Sequence, residues 1–463
     1  MRSYLKRQKE KLERYLTSDV LSYRQLTAIL LPVLWEQAFL VVLSLAGIWM
    51  ISADGEGALS VVNMMAVITK VFVSVCLGLV TGGTVVVAQN VGAGRRDTAG
   101  KCTLQTVGLL AGFGVTLGVL LFAFREPLVA YLLSGADAAI VQSATEYFMG
   151  FCLSLPFYAF YQGFAGAMRG WGHTRTAWII TFTVNGAELA LTAVLLLGLG
   201  MGVRGITAAI FLSRLVGALL AGGIMLRRRG ELHLHLRDLL SPDKKLLRAV
   251  LIVAVPLSLE QFFFNGGKAM SQRAIAGFGT AHMAANGVVN ALFDLINLPQ
   301  ATLREGVVTV AAMCIGFGRP DLARRYVYRF LRIIRRAVLW LAVPTLALSG
   351  LLLWSYRLSA DANRLTLFCI LIIYLFAPFF LGGSFTVPAG LRAGGDAVYV
   401  SIAALVSMWG IRVSLSYLFA GVLGMGVVGL NLAMVIEWVF RSIAYRERMK
   451  GARWYSHKLI EPT

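Results

Sequence analysis

The sequence predicts an all-α integral membrane protein. Twelve transmembrane helices form two six-helix lobes related by a pseudo-two-fold axis along the membrane normal. Three observations carry this reading. The 463-residue chain is 58% hydrophobic and only 14% charged, against about 25% charged in an average soluble domain, and its mean hydropathy is +0.73. Apolar stretches long enough to cross a bilayer, roughly twenty residues or more, recur twelve times. Finally, the prolines, glycines and charges of the first half return 224 residues later. The first observation excludes a water-soluble protein, the second fixes the number of spans, and the third fixes their symmetry.

In chain order, residues 1–24 are polar and basic and lack the form of a cleavable signal peptide. They read as a cytoplasmic N-terminal segment. Spans follow at 26–52, 58–90, 98–124, 138–167, 175–199 and 204–226, within a first lobe over 25–228. A basic cytoplasmic linker, 229–245, ends in Ser241-Pro-Asp-Lys-Lys245. Spans at 247–276, 281–315, 322–353, 364–390, 397–421 and 425–445 make a second lobe over 246–448, and 449–463 is a cytoplasmic tail. Of the 43 Lys and Arg, 33 lie in segments on the same side as both termini, four on the other side and six within spans. That asymmetry places both termini in the cytoplasm. It also accounts for the net charge of +20 as a topology signal facing an anionic inner leaflet, with no nucleic-acid partner.

The repeat is specific. Pro32-Val-Leu-Trp-Glu36-Gln37 returns as Pro256-Leu-Ser-Leu-Glu260-Gln261, and Gly92-Ala-Gly-Arg-Arg-Asp97 as Gly316-Phe-Gly-Arg-Pro-Asp321. Gly200-Met-Gly-Val-Arg-Gly205 returns as Gly424-Met-Gly-Val-Val-Gly429, and Met168-Arg169 as Leu391-Arg392. Six spans per copy give both halves one orientation, the parallel-repeat design of transporters whose substrate rests between the halves. The glycines suit helix C-caps, and Asp97 and Asp321 are expected to cap the helices that follow. Pro32 and Pro256 are expected to kink the first and seventh helices as hinges.

Charges inside spans are costly and normally face a cavity or a partner. Glu36 and Glu260 sit one turn beyond the repeated prolines. A cation-coupled carrier needs such a group, charged in one state and neutralised in another; the bland alternative is helix packing. Lys268, about two turns from Glu260, is placed to neutralise it or to pair with Asp294, as a fixed bridge or an exchangeable network. Glu188 and Asn185 share a face of the fifth span, and Arg412 and Glu437 are placed to pair within the second lobe. The candidate coupling set is therefore Glu260, Asp294, Lys268, Glu36 and Glu188. The candidate cavity set is Trp35, Gln37, Asn185, Gln261, Asn265 and Arg412. Five scattered cysteines without a CxxC pair, and five histidines of which only His233 and His235 are close, predict no metal site and no disulfide framework.

Several segments, taken in order, carry a family resemblance. They are Pro32-Val-Leu-Trp-Glu-Gln37, Gly55-Glu-Gly-Ala58, Gly82-Gly83 with Ala88-Gln-Asn-Val-Gly92, and Arg169-Gly-Trp-Gly172. In the second half they are Glu260-Gln261 with Gly267-Lys268, Phe278-Gly-Thr-Ala-His282, Ala284-Ala-Asn286, and Leu391-Arg-Ala-Gly-Gly-Asp396. Ser407-Met-Trp409 with Arg412, and Glu437-Trp438 with Phe440-Arg441, complete the set. Over roughly 20–450 the chain resembles the multidrug and toxic compound extrusion (MATE) family, in its bacterial branch. The resemblance implies two lobes around a central cleft, rocking-switch exchange, and export driven by inward H⁺ or Na⁺, with lobe carboxylates as coupling groups. One departure stands out: Gly47 occupies the place where relatives carry a first-helix Asp, which shifts weight to Glu36, Glu188 and the second lobe.

The expected function is export of organic, cationic or amphipathic, drug-like compounds from a bacterial inner membrane by a monomer. It needs no cofactor beyond the coupling H⁺ or Na⁺. An anionic aromatic substrate such as a flavin is the alternative, as is a lipid-linked oligosaccharide flippase of related fold. A polytopic transferase is disfavoured because no histidine has an acidic partner at a usual spacing.

Overall fold

The computed structural model describes residues 22–52, 56–132, 138–235, 237–275, 278, 280–355 and 360–456. Asp54, Gly55 and most of both terminal segments lie outside them. Twelve long helices run through the described chain: α1 Tyr23–Ser52, α2 Glu56–Gly92, α3 Arg96–Ala123, α4 Ala138–Gly170, α5 Thr174–Gly198, α6 Gly202–Arg227, α7 Lys244–Arg273, α8 Thr280–Gly316, α9 Pro320–Ser355, α10 Ala360–Ala393, α11 Ala397–Val422 and α12 Gly426–Lys450. Each coincides with one expected span. The protein is thus an all-helical, twelve-span membrane protein of two lobes.

The glycines of the repeat take matching backbone conformations in the two halves. Positive φ angles of 73° at Gly94 and 74° at Gly318 end α2 and α8. There Arg95 N donates to Asn90 O and Arg319 N to Cys314 O, the six-to-one bond of a Schellman cap. A side chain would be strained at such angles, so these turns explain why the glycines recur. The aspartates that follow do not cap. Asp97 and Asp321 fall one residue inside α3 and α9, too late for the N-cap position. Asp97 instead lies 2.8 Å from His233 Nδ1, and Asp321 accepts from Arg319 at 3.1 Å.

The chain packs as two units whose limits differ from the two expected lobes. One comprises Leu31–Ser258; the other comprises Leu259–Thr463 with the chain up to Leu30. The linker and the first half of α7 therefore pack within the first unit, and the start of α1 within the second. Small residues permit this. A Cβ on Gly82 of α2 would lie 2.7 Å from Val250 O and 2.8 Å from Ala254 Cβ of α7. Ser258 Oγ also donates to Val75 O at 2.9 Å. Gly306 of α8, the repeat equivalent of Gly82, meets Leu30 of α1 in the same manner. Close approach through glycine is the usual means of helix association in lipid. Both changes of unit fall within two residues of Pro32 and Pro256.

Candidate functional site

In the second unit the buried Glu260 of α7 is held from two helices. Arg392 Nη2, near the end of α10, donates to its two oxygens at 2.7 and 2.6 Å, and Ser401 Oγ of α11 donates to Oε2 at 3.0 Å. Glu260 is 4% exposed and Arg392 8%. Such a pair is stable only because the carboxylate is both neutralised and hydrogen-bonded. The partner is therefore Arg392 rather than Lys268. Lys268 is exposed, with its ammonium 5.2 Å over the Phe264 ring, and Asp294 of α8 is likewise exposed.

A second pair adjoins the first. Glu437 of α12 is fully buried between Arg412 of α11, at 3.3 Å, and Arg441 one turn along, at 3.2 Å. The Arg441 guanidinium stacks over Phe264, Phe385 and Tyr445 at 5.4, 5.0 and 5.6 Å. Phe264 lies one turn beyond Glu260, so the two acids form one cluster with Arg441 between them. Two carboxylates against three guanidinium groups leave this cluster with one excess positive charge. The expected Arg412–Glu437 contact is present; Arg441 and Ser401 were not anticipated.

The first unit holds the counterparts. Buried Glu36 of α1 accepts from Arg169 Nη2 of α4 at 2.9 Å. The repeat thus brings its own two motifs together in each half, Glu36 with Arg169 and Glu260 with Arg392. Both arginines read in the sequence as loop bases. Their recurrence at nearly the same offset as the glutamates was the signal for the pairing. Half-buried Glu188 of α5 lies beside Ser213 and Arg214 of α6. Arg214 Nη1 donates to Ser154 Oγ of α4 at 2.7 Å and stacks over Phe151 and Tyr158. Asn185 is turned back on its own helix, Nδ2 donating to Thr181 O at 2.8 Å. Trp35 is exposed, whereas Gln37, Gln261, Asn265, Pro32 and Pro256 are half-buried. Among the described residues no His, Cys, Asp and Glu group could hold a metal ion.

This duplicated architecture has a family match. The MatE family model fits residues 32–194 and again 256–418, two stretches that open on Pro32 and Pro256 and are 224 residues apart at both ends. The chain belongs to the MatE family. This MatE-family protein is 24% identical over 442 residues to the uncharacterized transporter YisQ of Bacillus subtilis, with 93% of each chain covered. It is 24% identical over 453 residues to the probable multidrug resistance protein NorM of Thermotoga maritima, with 94% of each covered. Among solved structures it is similar to a MOP-superfamily transporter of Pyrococcus furiosus whose reversed binding-pocket polarity suggests a different function. The TM-score is 0.82 at 19% identity, over 95% of this chain and 96% of that one. As a MatE transporter, the protein is a multi-pass membrane protein that handles small molecules.

Proposed function

We propose that the chain is a secondary exporter of organic, drug-like compounds, driven by inward H⁺ or Na⁺ through a rocking switch. It acts as a monomer in a bacterial inner membrane with both termini cytoplasmic. The observation that carries this reading is the buried cluster of Glu260, Arg392, Ser401, Arg441, Glu437 and Arg412, on four helices of the second unit. A proton or cation at Glu260 competes with Arg392 for the carboxylate and frees a buried guanidinium. Occupied and unoccupied states then differ in internal pairing. Such a difference is what lets a bound ion shift a conformational equilibrium. Glu36, Glu188, Asp294 and Lys268 are the remaining coupling candidates.

The test is transport in vesicles reconstituted with purified protein, with H⁺ and Na⁺ gradients imposed separately against a panel of organic cations and anions. One gradient should drive wild-type export, and Glu260→Gln should reduce gradient-driven export at least about tenfold, as expected when a buried charge-assisted bond worth ~1.5–3 kcal/mol is removed. Full gradient-driven export by a correctly inserted Glu260→Gln protein would refute the coupling role.

A second reading concerns substrate charge. Glu36, Glu188, Glu260 and Glu437 each have a guanidinium beside them, and the second unit's cluster carries excess base. These carboxylates are thus already matched and offer little to an organic cation. That balance favours an anionic aromatic substrate, with the reversed pocket polarity of the Pyrococcus furiosus transporter as precedent. The anion arm of the same panel separates the two readings.

A further inference from the structure

A cavity of about 590 Å³ opens in the second unit, lined by Tyr328, Leu331, Arg332 and Arg335 of α9, by 378–383 of α10, and by Arg446 of α12. It sits toward the end of the unit where α9 begins and α10 and α12 finish. Three features bear on what it binds. First, the lining holds three guanidinium groups and no carboxylate. Like charges gathered beside hydrocarbon require a counter-ion. Second, Arg446 Nη2 is anchored on Phe379 O at 2.9 Å, while its enclosed Nε has no hydrogen-bond partner among the described residues. One donor of a fixed guanidinium is therefore available to an acceptor. Third, the other walls are Leu331, Pro378, Phe379 and Phe380, and Phe379 is 50% exposed.

Arg332 and Arg335 stand one turn apart on α9, whose face at 328, 331, 332 and 335 turns to the cavity. Gly382 and Gly383 keep α10 narrow where α9 and α12 close on it. A Cβ on Gly382 would lie 3.0 Å from Leu331 Cδ2, and one on Gly383 3.1 Å from Arg446 Nε. The result is an arginine-rim groove with an apolar wall. Arginine forks match phosphate oxygens in pairs, and basic pockets between membrane helices at the cytoplasmic side suit acidic lipid head groups. A free phosphate would satisfy the arginines but leave the aromatic wall without a purpose.

We propose that this groove is a binding site for an anionic phospholipid. The phosphate is held by Arg332, Arg335 and Arg446, and the first carbons of the acyl chains lie on Phe379 and Phe380. The site is separate from the carboxylate network and does not depend on what the transporter carries. It rests on the membrane topology alone.

The test is native mass spectrometry of the full-length protein in detergent, titrated with equal amounts of phosphatidylglycerol and phosphatidylcholine. Wild type should retain phosphatidylglycerol over phosphatidylcholine by roughly tenfold or more, as two or three close arginines imply. Arg332→Gln/Arg335→Gln should bring the two lipids level. Arg325→Gln/Arg336→Gln removes two exposed arginines of α9 outside the cavity lining and should leave the preference intact. Arg335→Gln alone, at an exposed position, provides an intermediate loss should the double variant fold poorly. Equal retention of both lipids by wild type would overturn the proposal. So would equal losses in the two double variants, or inorganic phosphate at the same concentration displacing the bound lipid.

Discussion

The two units are built on one repeat yet place their internal charges with opposite sign. Shifted by 224 residues, Glu188 falls on Arg412, Ser213 on Glu437 and Lys70 on Asp294, with Arg214 one residue beyond the position of Glu437. In the first unit the acid is on α5 and the base on α6. In the second unit the base is on α11 and the acid on α12. The same pair of helices is thus bridged in both halves with the polarity reversed. By contrast, Glu36–Arg169 and Glu260–Arg392 keep their sign. Duplication conserved the need for a bridge between the last two helices of each half, whereas the Glu–Arg pair beside each proline was kept in kind. The second unit has gone further, enclosing Glu437 between two arginines and adding Ser401 to Glu260.

The largest break in this comparison comes at Glu437. Glu437→Gln leaves Arg412 and Arg441 facing each other without their shared anion. Removing one partner of a buried pair costs about 3–5 kcal/mol, and thermal unfolding in detergent should show a loss of that order. A loss under about 1 kcal/mol would mean that the two arginines do not depend on Glu437.

Next in size is the pair of prolines' glutamates. Glu260→Gln strips three close bonds from Arg392 and Ser401 and should cost about 3 kcal/mol. Glu36→Gln loses one bond to an arginine that is 16% exposed and should cost about 1–2 kcal/mol. Equal losses in the same melts would mean that the extra partners around Glu260 add nothing.

The spans, the repeat and the orientation-setting charges were legible because each is local: a run of apolar residues, a glycine at a turn, a basic loop. The ion pairs were legible only when both members fell within recognised spans, as with Arg412 and Glu437. Arg169 and Arg392 stand at helix ends and so counted as loop bases. Their glutamates are 133 and 132 residues away in sequence, and nothing local joins them. The change of unit within α1 and α7 was also out of reach. It depends on glycines of α2 and α8 admitting a helix from elsewhere, and a glycine does not name its neighbour.

A smaller effect sharpens the polarity argument. The double variant Glu188→Arg/Arg214→Glu gives the first unit the second unit's arrangement. If the bridge matters and its direction does not, the double variant should lie within about 1 kcal/mol of wild type. Arg214→Glu alone sets two carboxylates side by side and should lose about 3 kcal/mol. An additive double variant, as unstable as the sum of its parts, would show that each half has repacked around its own polarity.

The smallest contrast lies outside the membrane, where the equivalent loops differ in what their acids hold. Lys101 beside Asp243 keeps that carboxyl below the usual carboxylate range, and Arg319 does the same for Asp321. For a carboxyl whose folded value is depressed, the stabilisation is complete above its unfolded value, about 3.9. It drains away as pH falls through the folded value. Both sites are substantially exposed, so each contributes less than about 1 kcal/mol. Their consequences differ because of what they connect. Asp243–Lys101, at 3.1 Å, ties the linker to α3 across 142 residues of sequence. Asp321–Arg319 closes a single turn, two residues apart, and an unfolded chain keeps much of that proximity. Hydrogen exchange of the linker amides near Ser241 should therefore quicken severalfold in Asp243→Asn at pH 7, and in wild type as pH falls below about 4. Asp321→Asn should change exchange in its own loop by less than about twofold, because that bond contributes a few tenths of a kcal/mol at most. Equal changes in the two variants would mean that holding the linker adds nothing to a local charge contact.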